Sequence, residues 1–156
     1  MKKKNIVKIS ALKIDLNDVA ESVGDDKAGA TSLFVGTTRD NFEGKVVKRL
    51  EYEAYESMAV KEIEKVIVQA REKWNLFHIA VHHRTGIVPV RETSIAIAVS
   101  SAHRKESLEA VRFLIDTIKA TVPIWKKEIY SDGTRWKENS EARSDSVLGM
   151  GIEEKK

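Results

Sequence analysis

Three short segments of this sequence gather hydroxyls, cations and backbone N–H groups at points where one element of secondary structure must give way to another. The first is Gly36-Thr37-Thr38-Arg39, two hydroxyls and a guanidinium at the end of an apolar, β-branched run. The second is Ser101-Ala102-His103-Arg104, where a strand pattern hands over to a helical one. The free N–H groups and the dipole of a helix N-terminus favour an anion there. The third runs from Lys119 through Pro123-Ile124-Trp125 to Lys126-Lys127-Glu128. Together they describe a pocket for a phosphorylated substrate that also makes hydrogen bonds.

Each segment also has a plainer explanation. Taken singly, Arg39 and Arg104 are ordinary solvated surface charges. Lys119 lies three residues after Asp116, which follows Arg112 by four, so a surface ion-pair ladder accounts for it equally well. Lys119 also follows Ile115 by four and borders the apolar stripe of its helix. A lysine held at such an edge beside other cations is pushed towards its neutral form, and a neutral amine acts as nucleophile or base. In the strand that follows, Lys126 and Glu128 share a face with Ile124, while Lys127 lies opposite with Trp125 and is explained as simply by exposure. His78, His82 and His83 suggest a metal site, but no cysteine and no nearby acidic pair supports one, so neither metal nor other cofactor is expected.

The elements that position these groups follow from hydrophobic period. Residues 15–23 read as a short helix capped by Asp15 or Asn17 and stopped at Gly24. Residues 30–39 and 46–55 read as two strands joined through a polar 40–45 segment containing Gly44, a candidate flap. The spacing of Ala59, Ile63, Val66, Ile67, Ala70 and Trp74 predicts an amphipathic helix over 58–74. Strands are expected at 79–84 and 93–101. In the second, Ile95, Ile97 and Val99 face one way and Ser94, Ala96 and Ala98 the other, so the small face can pack under a helix and the strand is expected to be central. Leu108, Val111, Ile115 and Ile118 mark a second long helix over 104–121, ended because Pro123 disfavours helical geometry at Val122. An extended pattern resumes at 124–130, and Ser131-Asp132-Gly133 signals a turn. The irregular alternation, with hairpins expected, favours an α+β sandwich of antiparallel or mixed sheet over a doubly wound parallel one. One catalytic domain over 1–139 and a loosely ordered polar tail over 140–156 are expected.

Composition narrows the function classes. A chain of 156 residues with 42% hydrophobic and 33% charged residues has the balance of a globular domain. No apolar run approaches a bilayer span, and the stretch after the basic Met1–Lys4 is too short and interrupted for a signal-peptide core, so the default address is the cytoplasm. Cysteine is absent, which removes disulfides, thiolate ligands, cysteine nucleophiles and persulfide carriers; any sulfur handled here must arrive on a partner. A net charge of +3 is not that of a general nucleic-acid binder. A non-catalytic anion- or RNA-binding module remains the alternative, although RNA binding wants exposed aromatics among basic patches, and most of the ten aromatics here fall at apolar-face positions.

In this order, the segments F-V-G-T-T-R at 34–39, S-A-H-R at 101–104, the helix carrying Lys119, P-I-W-K-K-E at 123–128 and R-W at Arg135 and Trp136 resemble the large, catalytic subunit family of molybdopterin synthase. The resemblance runs from about residue 6 to 137, and S-A-H-R with P-x-W-K-K/R-E is specific as a set. It implies an α/β hammerhead fold and a homodimer within a heterotetramer, in which small ubiquitin-like subunits insert Gly-Gly tails bearing a thiocarboxylate. Sulfur then passes to cyclic pyranopterin monophosphate in two rounds, forming the dithiolene of molybdopterin. By the same resemblance Lys119 is the central catalytic lysine and Lys126 its partner. Thr37, Thr38, Arg39, His103, Arg104, Lys126, Lys127 and Glu128 line the substrate and its phosphate. Some members carry a further arginine soon after R-W; Lys137-Glu138-Asn139-Ser140 here contains none.

Overall fold

The computed structural model describes residues 2–139 and 152–155. Its first layer is a mixed four-stranded sheet in the order β1-β5-β7-β2, made of β1 (Asn5–Ser10), β5 (Ile79–Arg84), β7 (Thr93–Ser101) and β2 (Ala30–Thr37). β1 runs parallel to β5, and the other pairs are antiparallel. The expected position of β7 is confirmed: it lies inside the sheet, and its two faces pack differently. Ile95, Ile97 and Val99 join the main core beneath α2 (Glu56–Lys73) and α3 (Arg104–Thr121), while Ala96 and Ala98 meet Val19 and Val23 at α1 (Leu16–Ser22). Small side chains on that face let a seven-residue helix sit close to the sheet.

The helices form where the apolar period predicts. α1 starts because the Asp15 carboxylate accepts the N–H groups of Asn17 and Asp18 at 3.0 and 3.3 Å. α2 buries Ala59, Ile63, Val66, Ile67 and Ala70, and α3 buries Ala110, Val111, Leu114, Ile115 and Ile118. Each fully buried Ile or Leu among these contributes roughly 1.5–3 kcal/mol relative to exposure. The helices meet where Trp74 stands edge-on to Phe113, ring centroids 5.6 Å apart, and donates its indole N–H to Glu109 at 2.8 Å. α3 stops at Val122, whose φ −88° and ψ 133° are the extended values required before Pro123.

The second sheet runs β10-β9-β8-β4-β3, with β6 (Gly86–Pro89) also pairing β4 (Lys45–Ala54). Its members β8 (Ile124–Tyr130) and β9 (Thr134–Asn139) form an antiparallel hairpin through the expected turn, with Gly133 at φ +90°. Three points go beyond the sequence reading. The two expected strands joined through residues 40–45 lie in different sheets: β2 pairs β7 in the first sheet and β4 pairs β8 in the second. Only β3 (Asn41–Phe42) turns back on β4, through Glu43 at φ +50° and Gly44 at φ +80°. Part of the expected tail is a strand, since β10 (Ile152–Lys155) pairs β9; residues 140–151 lie outside the described residues. Finally, β1, β6 and β9 had no counterpart in the sequence reading. No helix among the described residues is long and apolar enough to cross a membrane.

Candidate active site

A cavity of about 220 Å³ opens where the last turns of α3 meet the end of β2 and the inner face of the second sheet. Its apolar walls come from Phe34, Leu50, Tyr52, Ile95, Ile115 and Ile118. Gly36 contributes backbone only, because a Cβ there would fall 2.7 Å from the Ile95 side chain. Thr37, Arg39, Lys119, Lys126 and Glu128, all expected from the sequence, line this one space. Lys119 reaches it from the last turn of α3. Arg112 and Asp116, the proposed rungs of a surface ladder, form an exposed ion pair 3.7 Å apart.

Lys126, Glu128 and Tyr130 alternate onto one face of β8 because side chains two apart in a strand share a side. The Lys126 ammonium lies 3.4 Å from Glu128 Oε1, and the Tyr130 hydroxyl donates to Glu128 Oε2 at 2.7 Å. Glu128 is only 4% exposed. Both of its oxygens have partners within the protein, so it steadies Lys126 from a place in the cavity lining, where the sequence put it. Lys127 falls on the opposite face and does not line the cavity. Thr38 also departs from expectation. It is buried, its hydroxyl donates to the Val88 carbonyl at 3.3 Å, and its backbone bonds Glu92 and Arg91. Thr38 anchors the bend that presents Arg39 without itself lining the cavity.

The sequence reading missed His83, weighed there only as a metal ligand. Ile79, Val81 and His83 alternate onto the core side of β5, and His83 closes the cavity floor. Its Nδ1–H donates to the Arg84 carbonyl at 2.8 Å, which fixes the tautomer because a carbonyl can only accept. Tyr52 stands edge-on to the ring, centroids 4.9 Å apart. Burial, with a smaller contribution from the nearby Lys119 charge, lowers the imidazole to about 4, against the hydrogen bond to Arg84, which works the other way. The alternation of β5 was the available signal.

S-A-H-R lies at the other end of α3. Ser101 is fully buried; its hydroxyl donates to the His103 carbonyl at 2.6 Å and accepts the Ser107 N–H at 3.1 Å. The Ser107 hydroxyl in turn pairs with Ser32 at 2.7 Å. From outside, Gly29 donates its N–H to the Ser101 and Ala102 carbonyls at 3.1 and 3.2 Å. The loop carrying Gly29 is held by Asp25, which accepts the Lys27 N–H at 2.9 Å and the His78 Nε2–H at 2.9 Å. The second nitrogen of His78 accepts the Lys4 N–H at 3.0 Å. The backbone bond to Lys27, then that to His78, holds the Asp25 carboxyl below its ordinary range. His103 and Arg104 are exposed here. Fifteen residues at 1.5 Å rise put Arg104 about 22 Å along the helix from Lys119, so the two belong to different places on one chain. Among the described residues, no group of three or more His, Cys, Asp or Glu is placed to hold a metal.

A mixed sheet under two long helices, joined to a second sheet with a lysine-rimmed cavity between them, defines an α/β hammerhead protein. Residues 9–121 match the MoaE protein family, and the chain belongs to that family. It is 57% identical over 139 residues to the molybdopterin synthase catalytic subunit of Taeniopygia guttata, covering 88% of this chain and 90% of that protein. It is 56% identical over 140 residues to the molybdopterin synthase catalytic subunit of Homo sapiens, covering 90% of this chain and 74% of that one. Among solved structures, molybdopterin synthase from Staphylococcus aureus superposes with a TM-score of 0.77 at 36% identity, covering 81% of this chain and 92% of the other.

Proposed function

We propose that this chain is the catalytic subunit of a molybdopterin synthase. It transfers sulfur from the thiocarboxylated C-terminus of a small ubiquitin-like subunit to cyclic pyranopterin monophosphate. The observation that carries this reading is the convergence of Lys119 from α3, Lys126 from β8 and Arg39 from the loop after β2 on one apolar-walled cavity. Apolar walls suit a flat heterocycle, and the cations suit its phosphate and the thiocarboxylate of the tail. Lys119 is the nucleophile or base, and Lys126, steadied by Glu128, supplies the charge beside it. In each round the thiocarboxylate sulfur replaces an oxygen substituent on the pterin side chain, water then cleaves the acyl–sulfur bond so that the tail leaves as a carboxylate, and two rounds build the dithiolene.

The active form is a homodimer within a heterotetramer, acting in the cytoplasm. In that dimer His103 and Arg104, too far along α3 to serve their own cavity, complete the phosphate site of the second protomer. An RNA-binding module is less well supported: among the aromatics at residues 2–133 only Tyr55 and Trp125 are exposed. The test is to mix the purified chain with a thiocarboxylated small subunit and the pterin precursor. Molybdopterin forms only with all three; no product from the complete mixture overturns the reading.

A further inference from the structure

We propose that Nε2 of His83 is a fixed hydrogen-bond acceptor that reads a ring N–H of the heteroaromatic substrate. The inference rests on the pterin-binding reading above and adds a residue to it. His83 lies in the cavity floor, beneath Lys119, and is only 7% exposed. Its Nδ1–H is committed to the Arg84 carbonyl, so in the neutral ring Nε2 is the lone-pair nitrogen, and no hydrogen bond to it forms among the described residues. The edge-on Tyr52 and the bond to Arg84 hold the ring plane.

The charged groups around this floor explain why the imidazole stays an acceptor. Lys119 on α3 adds positive charge to the effect of burial, and the carboxylate of Glu128 on β8 is occupied by Lys126 and Tyr130. Neighbouring groups have the same polarity as His83. The Ser94 hydroxyl spends its proton on the Gly36 carbonyl at 3.2 Å, leaving lone pairs towards the cavity it lines. The cavity is thus divided into a rim of donors, Arg39, Lys119 and Lys126, suited to phosphate and thiocarboxylate, and a floor of acceptors suited to ring N–H groups. A residue serving only to fill the core would need no acceptor facing a cavity, and an apolar side chain would avoid burying one.

His83→Asn separates reading from support, because the Asn amide can replace Nδ1–H on the Arg84 carbonyl while nothing replaces Nε2. The complete synthase mixture should show the KM for the pterin raised about tenfold, kcat within about twofold of wild type, and unchanged association with the small subunit. In parallel, the ¹⁵N resonance of His83 Nε2 in the wild-type chain is followed as the pterin precursor is added without the small subunit, which needs no variant to fold. It should move upfield from the position of an unprotonated, unbonded nitrogen. An Nε2 resonance that stays fixed at saturating pterin overturns the proposal, as does an unchanged KM in folded His83→Asn. Wild-type protein that neither binds nor turns over the pterin removes the functional reading, and this inference with it.

Discussion

At its C-terminal end α3 carries Lys119 to the mouth of an apolar cavity, where side chains from both sheets meet it. At its N-terminal end the same helix displays His103 and Arg104 on an exposed loop laced by hydrogen bonds from Ser101, Ser107 and Gly29. One end lines a cavity, and the other is fastened by a capping network. A rigid helix can hold two cationic sites at a fixed separation but cannot bring them together. The first way to break this comparison is at Lys119. Both Lys119→Ala and Lys119→Arg should lower product formation on the order of 10²–10⁴-fold, since arginine keeps the charge but cannot serve as a neutral amine. Lys65→Ala, which removes an exposed partner of Glu62 on α2, should leave it unchanged. A Lys119→Arg enzyme near wild-type rate would reduce this end to electrostatics alone.

The cavity end should also show in the pH dependence of stability. His83 is held neutral at about 4 in the folded chain against 6.5 when unfolded. Between those values the unfolded chain binds the extra proton, so stability falls as pH drops from about 6.5 towards 4, by up to about 3 kcal/mol. Asp25 and Glu92 are both depressed, by the Lys27 backbone bond and the Arg84 hydrogen bond respectively. They lose their contributions further down, as pH falls through their folded values. Urea unfolding at pH 7 and 4.5 should show the drop in wild type and a shallower one in His83→Asn; equal slopes would remove His83 as its source.

At the N-terminal end the weak point is packing rather than charge. A Cβ on Gly29 would sit 2.4 Å from the Ala102 carbonyl oxygen, a backbone atom that cannot swing aside. Gly29→Ala should therefore cost about 1–3 kcal/mol of unfolding free energy and shift the S-A-H-R loop. Its KM for the pterin should rise more than its kcat falls. Wild-type stability would mean that this loop is not tightly buttressed.

How much of this was legible in the sequence differs from element to element. The period of Ile115 and Ile118 and the stop at Pro123 located α3, and the split faces of β7 marked an inner strand. Strand partners were not legible, because pairing β2 with β7 or β4 with β8 depends on contacts more than fifty residues apart that no local pattern encodes. β6, four residues beginning at Gly86 with φ +77°, is too short for a period to register. Lys126 and Glu128 could be placed on one face, yet only Tyr130 on that face shows both Glu128 oxygens to be engaged. The separation of Arg104 from Lys119 was available from helix rise alone and contradicts a single-chain site holding both.

The smallest expected effect tests that separation directly. Arg104→Ala should raise the KM for the pterin, on the order of 10-fold or more for a lost charge-assisted phosphate contact. If Arg104 serves the second protomer's cavity, two impaired chains can repair each other. In a hybrid dimer of Lys119→Ala with Arg104→Ala, one cavity carries both lesions and the other carries neither. Random assembly of equal amounts makes half the dimers hybrid, each with one intact site of two, so turnover at limiting pterin should recover to about a quarter of wild type. If Arg104 served its own chain's cavity instead, every site in the hybrid would carry one lesion and mixing would restore nothing. Differently tagged chains, co-expressed and purified through both tags, isolate the hybrid. About half of wild-type activity from that fraction places the two ends of α3 in one site built from two protomers, and activity no higher than the Arg104→Ala parent's assigns them to separate tasks.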